Sequence, residues 1–483
     1  MKKVFNFLKK NPCFITLVWL FFFSLILRTF HLSYYISYHQ DQVRDLFYIK
    51  ENFEKGSLIL LGPKASVGNF FLPPFWYYLM SSTYIFSKSP LAPAVLTAFL
   101  SSLTTVVIFL FVKKFFDKNL SFIAATLYAV SPLSIEYSRF AWNPNPIPLF
   151  VILTFYFLYG FLFEKKENHF IYATITSNLA FQLHYQGLVI FVFYFLVILF
   201  YKKFNSRRLF QYLLINFILV LPFVIYEIQN NFKNTSGIVN FLIASQSTAK
   251  LKFFGIPFFI KFILRDFSLF LARVMFFKNQ ILGFIALFVL GFSLLVNTLK
   301  LSKLSKPSKL LNYFLIFSFI MLFFYKNSLI DFYLLFLIPL VIIYFVLISG
   351  KILGEKLTLS FFFILILVNL FKSPAFGAYD KTFLWIKESI KKVTIKKDYC
   401  LAYNIFPQNF IESKYRYMMS LVKNKPVYDN CQQIIYRCDP KVKIGYYLCE
   451  DAICDRPPAA TSIGKLIDMK PLDYDVRIYE FKL

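Results

Sequence analysis

Long apolar runs dominate the chain and recur eleven times with few charged residues inside them. They lie at about 13–31, 91–112, 119–135, 146–163, 169–185, 187–201, 209–226, 281–299, 310–325, 330–349 and 357–372. A helix of about 17–25 apolar residues crosses a bilayer while its backbone hydrogen bonds stay internal. The pattern therefore predicts an all-α polytopic membrane protein with about 11 to 13 transmembrane helices.

Polar stretches between and after these runs predict the remaining organisation. Residues 74–86 are apolar but too short to span, which favours an interfacial or re-entrant helix inside the external loop 32–90. A second external loop covers 227–280. The tail alternates apolar and polar residues at 443–449 and 474–481, which is typical of strands. We expect a membrane domain over 1–372 and a small extracytoplasmic α+β domain over 373–483.

Charge refines this picture by predicting which side each loop occupies. The net charge is +28, from 53 Lys and Arg against 25 Asp and Glu. The short pieces 1–12, 113–118, 164–168, 202–208, 300–309 and 351–356 hold 19 of these bases and four acids. This bias predicts a cytoplasmic N-terminus, with the basic run before the first span acting as a signal anchor, and an external C-terminal domain.

Composition excludes several classes of protein. Hydrophobic residues make up 58% of the chain and charged residues 16%, whereas soluble domains have about 25% charged residues. An ordinary soluble enzyme, a disordered chain and a fibrous protein are therefore excluded. The basic surplus is explained by membrane topology, so no nucleic acid partner is expected.

Five of the six cysteines fall in the predicted external tail, at positions 400, 431, 438, 449 and 454. An oxidising compartment favours disulfides. Free buried thiols and a metal site remain alternatives, although the tail has no His and lacks the usual paired zinc spacing.

The first external loop carries the most distinctive polar motif, His-Gln-Asp-Gln-Val-Arg-Asp over 39–45. Asp41 and Asp45 are four residues apart and share a face if this segment is helical. A carboxylate at a membrane surface can act as a general base or bind a cation. The alternative is a solvated helix start with Asp41 near the N-cap.

Other polar residues gather at the predicted outer ends of later spans. Arg139 precedes Asn143 and Asn145 in a proline-rich connection, and His184 lies at the end of the fifth run. A planar guanidinium suits a phosphate, but an interfacial arginine also snorkels to the headgroups. His184 is either a binding residue or an ordinary satisfied polar residue.

The loop 227–280 intersperses basic residues with phenylalanines. Six of its seven bases are Lys250, Lys252, Lys261, Arg265, Arg273 and Lys278. This pattern is typical of a helix in the interface that is attracted to anionic membrane lipids. Such a helix would guide a lipid-like substrate, or would serve only to adhere to the surface.

Taken in order, these motifs resemble those of the GT-C integral membrane glycosyltransferases. The motifs are the acidic run at 39–45, Gly62-Pro-x₄-Gly68, Pro73-Pro-Phe-Trp-Tyr-Tyr78, Arg139-x₃-Asn-Pro-Asn-Pro and Tyr333-Leu-Leu-Phe-Leu-Ile-Pro339. The branch they resemble is the dolichyl-phosphate-mannose–protein mannosyltransferase and aminoarabinose transferase (ArnT-like) group. The resemblance covers about residues 10–350.

The resemblance implies transfer of one sugar from a polyprenyl-phosphate donor to a lipid, glycan or protein hydroxyl on the extracytoplasmic side. Asp41 matches the family's catalytic base, and inversion at the anomeric carbon would follow. It further implies an acceptor or supporting shell of Asp45, Gln42, His184 and Asn145. The implied donor-phosphate ligands are Arg139, Lys64, Arg265, Arg273 and Tyr333.

Departures from the family pattern leave the cofactor open. Gln42 follows Asp41 where many relatives have Glu, and Asn143 and Asn145 stand where an Asp is common. No cofactor is firmly implied, and a divalent metal stays an open alternative. Competing functions are a polyprenyl-linked saccharide flippase, an O-antigen-ligase-like enzyme and a non-catalytic membrane scaffold.

Overall fold

The structure is a computed structural model of the 483-residue chain. It describes residues 11–36, 40–65, 70–247, 260–323, 330–377, 382–392, 399–403, 444–450, 465–471 and 476–482.

Helices account for nearly all of the described residues before 393. In chain order they are α1 (Pro12–Thr29), α2 (Gln40–Lys55), α3 (Phe75–Phe86), α4 (Ala92–Phe115), α5 (Leu120–Ala129), α6 (Pro132–Ser138), α7 (Ile147–Glu164), α8 (Asn168–Leu183), α9 (Leu188–Phe200), α10 (Ser206–Gln229), α11 (Lys233–Ser247), α12 (Ser268–Met275), α13 (Gln280–Leu299), α14 (Lys306–Phe323), α15 (Ile338–Leu353), α16 (Glu355–Phe371) and α17 (Phe383–Lys392). Short 3₁₀ turns occur at Leu32–Tyr34, Tyr185–Gly187, Leu301–Lys303, Asp331–Leu337 and Pro374–Phe376, and a π turn at Phe262–Phe267.

Each of the eleven predicted runs falls on a described helix. Among the described residues, seven helical segments are long and apolar enough to cross a membrane: Pro12–Tyr34, Ala92–Phe115, Ile147–Glu164, Ser206–Gln229, Gln280–Leu299, Asp331–Leu353 and Glu355–Phe376. The bent pair α5 and α6 brings this to eight. Helices α8, α9 and α14 cover the other three runs and fall outside this set, so eleven spans stay a prediction. Helix α3 has 12 residues, as expected of a non-spanning segment.

The break between α5 and α6 follows from the sequence. Pro132 has no N–H to continue α5, and its ring excludes the preceding helical turn. Ser131 instead caps the new helix, because its Oγ accepts the Ser134 N–H at 3.4 Å. The two helices are bent by 51° relative to each other.

Burial separates central from peripheral helices. The apolar window of Asp331–Leu353 is 78% buried and that of α7 is 67% buried. The α10 window is only 6% buried. Helix α7 packs against α4 and α8, while α15 packs against α5 and α16. The centre of the helical part is therefore formed by α7 and α15.

Polar side chains join α8 to the peripheral helix α10. Asn178 donates to Asn216 Oδ1 at 2.7 Å, and Gln182 donates to the Leu219 carbonyl at 3.0 Å. Pro222 lies three residues beyond Leu219 and leaves α10 without one backbone donor. These hydrogen bonds fix α10 where apolar burial is slight.

The chain forms two compact units. One consists of Met1–Phe30 with Asn52–Phe376, and the other of His31–Glu51 with Gly377–Leu483. The first contains most of the helices. The predicted domain boundary at 372–373 stays a prediction, and the structure groups residues 31–51 with the tail.

The second unit contains a four-stranded mixed sheet. Its strands are β1 (Tyr399–Tyr403), β2 (Ile444–Glu450), β3 (Lys465–Pro471) and β4 (Val476–Lys482), in the order β1-β2-β4-β3. Only the β1–β2 pair is parallel. Strands β2 and β4 coincide with the two alternating segments of the sequence, so both strand predictions are confirmed. Side chains of Cys400 and Cys449, and residues 431, 438 and 454, lie outside the described part, so cysteine pairing stays a prediction.

Candidate functional site

Asp41 lies in the first turn of α2 within the second unit. Its side chain is 36% exposed, and Arg44 Nη1 lies 2.7 Å from Asp41 Oδ1. A helix N-terminus favours a carboxylate because the first N–H groups point toward it. The arrangement presents an oriented and partly accessible carboxylate.

Arg44 also holds the second acid of the motif. Asp45 is fully buried, and its Oδ1 accepts hydrogen bonds from Arg44 Nη2 at 2.7 Å and from Nε at 2.9 Å. The expected shared face of Asp41 and Asp45 is confirmed, with one guanidinium between them. Gln42 is buried in the same turn. The roles assigned to Asp45 and Gln42 stay predictions.

Lys64 lies on a short hairpin of the first unit. The hairpin is closed by Gly62 N–H to the Leu72 carbonyl at 2.7 Å and Leu72 N–H to the Pro63 carbonyl at 3.0 Å. Gly62 is required here because an added Cβ would lie 2.2 Å from the Pro73 carbonyl oxygen. Lys64 itself is exposed. It is accessible to an anionic ligand, as its predicted role requires.

Asn234 of α11 holds this hairpin from the side. Its Oδ1 accepts the Phe71 N–H at 2.6 Å, and its Nδ2 donates to the Phe71 carbonyl at 3.3 Å. Glu227, buried at the end of α10, accepts the N–H of Thr235 in the first turn of α11 at 3.1 Å. The Lys64 hairpin is therefore anchored by α11.

Arg139 is fully buried, unlike the snorkelling arginine that its interfacial setting suggested. Its guanidinium donates to the carbonyls of Leu27 at 3.1 Å and Phe30 at 2.8 Å. Two nearby amides also bind main chain, since Asn143 donates to the Leu183 carbonyl at 2.6 Å and Asn145 to the Phe140 carbonyl at 2.9 Å. The predicted ligand roles of Arg139 and Asn145 remain untested beside these contacts.

Arg273 lies between two carboxylates rather than on a lipid-facing helix. It belongs to α12, whose residues are largely buried, so the expectation of an interfacial helix is wrong for Ser268–Met275. Arg273 Nη2 lies 2.9 Å from Glu136 Oε2, and Nη1 pairs with Asp331. Tyr137 donates to Asp331 Oδ1 at 2.6 Å. Arg265 is separate, on the π turn, with its side chain 67% exposed.

His184, predicted for the acceptor or supporting shell, and Tyr333, predicted for the donor phosphate, lie close together. Their ring centroids are 5.8 Å apart, and Phe332 lies 6.2 Å from His184. His184 follows α8 and lies outside both flanking helices. Its Nδ1 accepts the Gln186 N–H at 3.3 Å, and burial lowers the pKa of His184 to about 4. The imidazole is therefore neutral at physiological pH, with its proton on Nε2.

Three residues of these clusters escaped the sequence analysis. Arg28 is a charge inside the first apolar run, and that position alone signals a special role. Asp331 is a lone acid at the start of a late span, which gives a weaker signal of the same kind. Asn234 carries no sequence signal, because its partner is the backbone of a distant loop.

Metal ligation was also considered. Among the described residues, no group of three or more His, Cys, Asp or Glu side chains lies close enough to hold a metal ion. His39 falls outside the described residues.

Similarity to known proteins adds to this geometry. Residues 72–226 match the family described as dolichyl-phosphate-mannose-protein mannosyltransferase. No curated protein sequence matches the chain. The apo crystal structure of ArnT from Cupriavidus metallidurans matches with a TM-score of 0.61 at 10% identity, covering 98% of both chains. The chain has the GT-C fold of ArnT.

A second structure of the same ArnT, bound to undecaprenyl phosphate, matches with a TM-score of 0.58 at 9% identity, covering 97% of this chain and 98% of ArnT. The predicted GT-C fold is thereby confirmed. The family match begins at residue 72 and therefore does not cover Asp41. The structural match to ArnT covers 98% of the chain. Roles of individual residues stay predictions.

Proposed function

We propose that the chain is a membrane glycosyltransferase that moves one sugar from a polyprenyl-phosphate donor to a hydroxyl acceptor outside the cytoplasm. The observation that carries the proposal is Asp41, a partly exposed carboxylate oriented by Arg44 in the first turn of α2, shortly after the first span. The GT-C fold and the mannosyltransferase family match over 72–226 support it. They favour a transferase over a flippase or a scaffold.

In the proposed reaction, Asp41 takes the proton of the acceptor hydroxyl as that oxygen attacks the anomeric carbon. A new C–O bond forms on one face of the sugar, and the bond to the phosphate oxygen breaks on the other. The polyprenyl phosphate leaves with the electron pair, so a single displacement inverts the anomeric centre. General base assistance of this kind contributes about 10²–10⁴-fold in rate.

The leaving phosphate needs its charge neutralised. Lys64 and Arg265 are exposed, and Arg265 has one carboxylate neighbour among the described ion pairs, Asp266 Oδ1 at 3.8 Å from its Nε. Arg273 supplies positive charge only if the phosphate competes with Glu136 and Asp331. Tyr333 offers a neutral donor beside His184. We therefore assign the first phosphate contacts to Lys64 and Arg265.

The sidedness of the reaction rests on charge. The short connections assigned to the cytoplasm hold 19 Lys and Arg and four acids, which favours a cytoplasmic N-terminus. Residues that follow the first span, including Asp41, would then lie outside.

The test is Asp41→Asn in membranes supplied with a panel of radiolabelled polyprenyl-phosphate sugars. We expect transfer to fall by at least about 100-fold because Asn cannot take the proton. Glu54→Gln, an exposed acid on the same helix, serves as the matched control and keeps wild-type transfer. Wild-type turnover by Asp41→Asn would refute the base assignment. A product that retains the donor's anomeric configuration would refute the single displacement.

A further inference from the structure

Two fully buried arginines of the first unit, Arg28 and Arg139, connect the end of α1 with the bent pair α5 and α6. Arg28 belongs to α1 and donates to carbonyls at the end of α5, namely Ala129 at 2.9 Å and Tyr128 at 3.4 Å. Arg139 directly follows α6 and donates to carbonyls at the end of α1, those of Leu27 and Phe30. The α1 end and the α5–α6 break are thus joined in both directions.

Every donor of the Arg28 guanidinium is used. Nε donates to Ser101 Oγ at 2.9 Å, and Nη2 also donates to Ser134 Oγ at 2.8 Å. Nη1 donates in addition to the Ser24 carbonyl at 3.2 Å. Five donors in one planar fork match five neutral oxygens from four helices, namely α1, α4, α5 and α6. These hydrogen bonds are needed, because burying a charge without compensating hydrogen bonds is strongly unfavourable.

The acceptors explain why cations are stabilised here. The last four carbonyls of a helix have no partner within the helix, and they form the negative end of its dipole. Arg28 satisfies these carbonyls at the end of α5, where Pro132 prevents continuation. Arg139 satisfies them at the end of α1. Each arginine is therefore a C-terminal cap supplied by another part of the chain.

Both capped ends lead into segments that carry candidate site residues. After Phe30 the chain turns at His31, whose φ is 49°, and continues to the helix that carries Asp41. After the α5–α6 break, α6 carries Glu136 and Tyr137, which contact Arg273 and Asp331. A shift at the α5–α6 break would displace the start of α6.

We propose that Arg28 and Arg139 are positioning residues that act as reciprocal helix caps, and that Arg139 binds main chain rather than the donor phosphate. This rests on the proposed function for its effect on sugar transfer, but the caps themselves are independent of it. The arginines hold the exit of the first span and the break of the bent pair in one arrangement.

The experiment compares Arg28→Gln, Arg139→Gln and the double variant with the wild-type chain in detergent or nanodiscs. Arg207→Gln, an exposed arginine on the predicted cytoplasmic side, is the matched control. Hydrogen exchange at the amides of Phe30 and Ile135 reports the two capped ends without any activity assay. We expect each single variant to raise exchange at both ends by about tenfold, because about 1–2 kcal/mol of capping is lost. The double variant should exceed the worse single variant by little.

Kinetics separate positioning from phosphate binding. We expect both single variants to lower kcat by at least about tenfold while donor KM changes by less than about twofold. A higher donor KM in Arg139→Gln, with kcat and exchange unchanged, would identify Arg139 as a phosphate ligand and overturn the proposal. An effect confined to one end of the pair would also overturn reciprocity.

A milder variant covers the case in which the arginine variants fail to fold. Ser134→Ala removes one acceptor of Arg28 and leaves both charges in place. It should raise exchange at Phe30 and Ile135 by about threefold, and unchanged exchange would contradict the proposal. If the wild-type chain transfers no sugar from any polyprenyl-phosphate donor, the proposed function fails while these exchange measurements still decide the caps.

Discussion

One arginine shared by two carboxylates occurs twice among the described side chains. Arg44 contacts Asp41 and Asp45, and Arg273 contacts Glu136 and Asp331. Each group carries one more negative than positive charge. An anionic donor therefore gains little from either arginine unless a carboxylate withdraws. We therefore propose as first contacts the exposed Lys64 and the exposed Arg265, which has Asp266 as its one carboxylate neighbour among the described ion pairs.

A single histidine makes stability depend on pH. Burial lowers the pKa of His184 to about 4, whereas an unfolded histidine has a pKa near about 6.5. The unfolded chain therefore binds the proton more tightly, and the contribution of neutral His184 to stability is lost as pH falls from about 6.5 toward about 4. We expect His184→Gln to weaken the fall in melting temperature over this interval.

The control for this prediction is His31→Asn. His31 is exposed, and its φ of 49° is a conformation that Asn accepts. Its melting curves between pH 7 and pH 4.5 should follow those of the wild-type chain. An unaltered pH dependence in His184→Gln would show that other groups cause the acid sensitivity.

At the scale of elements, the hairpin that carries Lys64 depends on α11 for its position. Asn234→Ala removes both hydrogen bonds to the Phe71 backbone and leaves its peptide groups without these partners. Such a loss costs about 1–3 kcal/mol. We expect hydrogen exchange at Gly62 and Leu72 to rise by about tenfold or more, since the hairpin opens more often.

Asn230→Ala is the matched substitution one turn earlier. Asn230 is exposed and donates only locally, to the Tyr226 carbonyl at 2.9 Å. It should leave exchange in the hairpin unchanged. Equal exchange in Asn234→Ala and the wild-type chain would mean that the hairpin is held by its own ladder.

Local patterns predicted much of this architecture, and long-range partners explain what they missed. The four-residue spacing of Asp41 and Asp45 foretold their common face, and period-two alternation foretold β2 and β4. The main-chain partners of Arg139 at Leu27 and Phe30 were not predicted because backbone carbonyls leave no trace in side-chain chemistry, and its ligand role stays a prediction. Arg273 was expected at the interface because the sequence shows its positive charge but does not show that Asp331, far away in the chain, pairs with it.

For the whole molecule, the distribution of charge predicts on which side of the membrane each loop lies, and cysteine labelling tests that prediction. Ser57→Cys lies in the predicted first external loop and Ser305→Cys in a connection assigned to the cytoplasm, and both positions are exposed. We expect an impermeant maleimide to label Ser57→Cys in intact cells above the background of the six native cysteines. Ser305→Cys should react only after permeabilisation. The reverse pattern would invert the topology and remove Asp41 from the outer side.

In helix α10, the residues that make the helix apolar are different from the residues that fix its position against α8. Its apolar window is almost entirely uncovered, and lipid tails are as apolar as leucine, so those side chains give little preference for one neighbour. The Asn216 amide and the Leu219 carbonyl supply the preference through Asn178 and Gln182. Most of the exposed apolar residues of α10 can therefore be replaced by other apolar residues, provided that the hydrogen bonds of Asn178 to Asn216 and of Gln182 to the Leu219 carbonyl are kept.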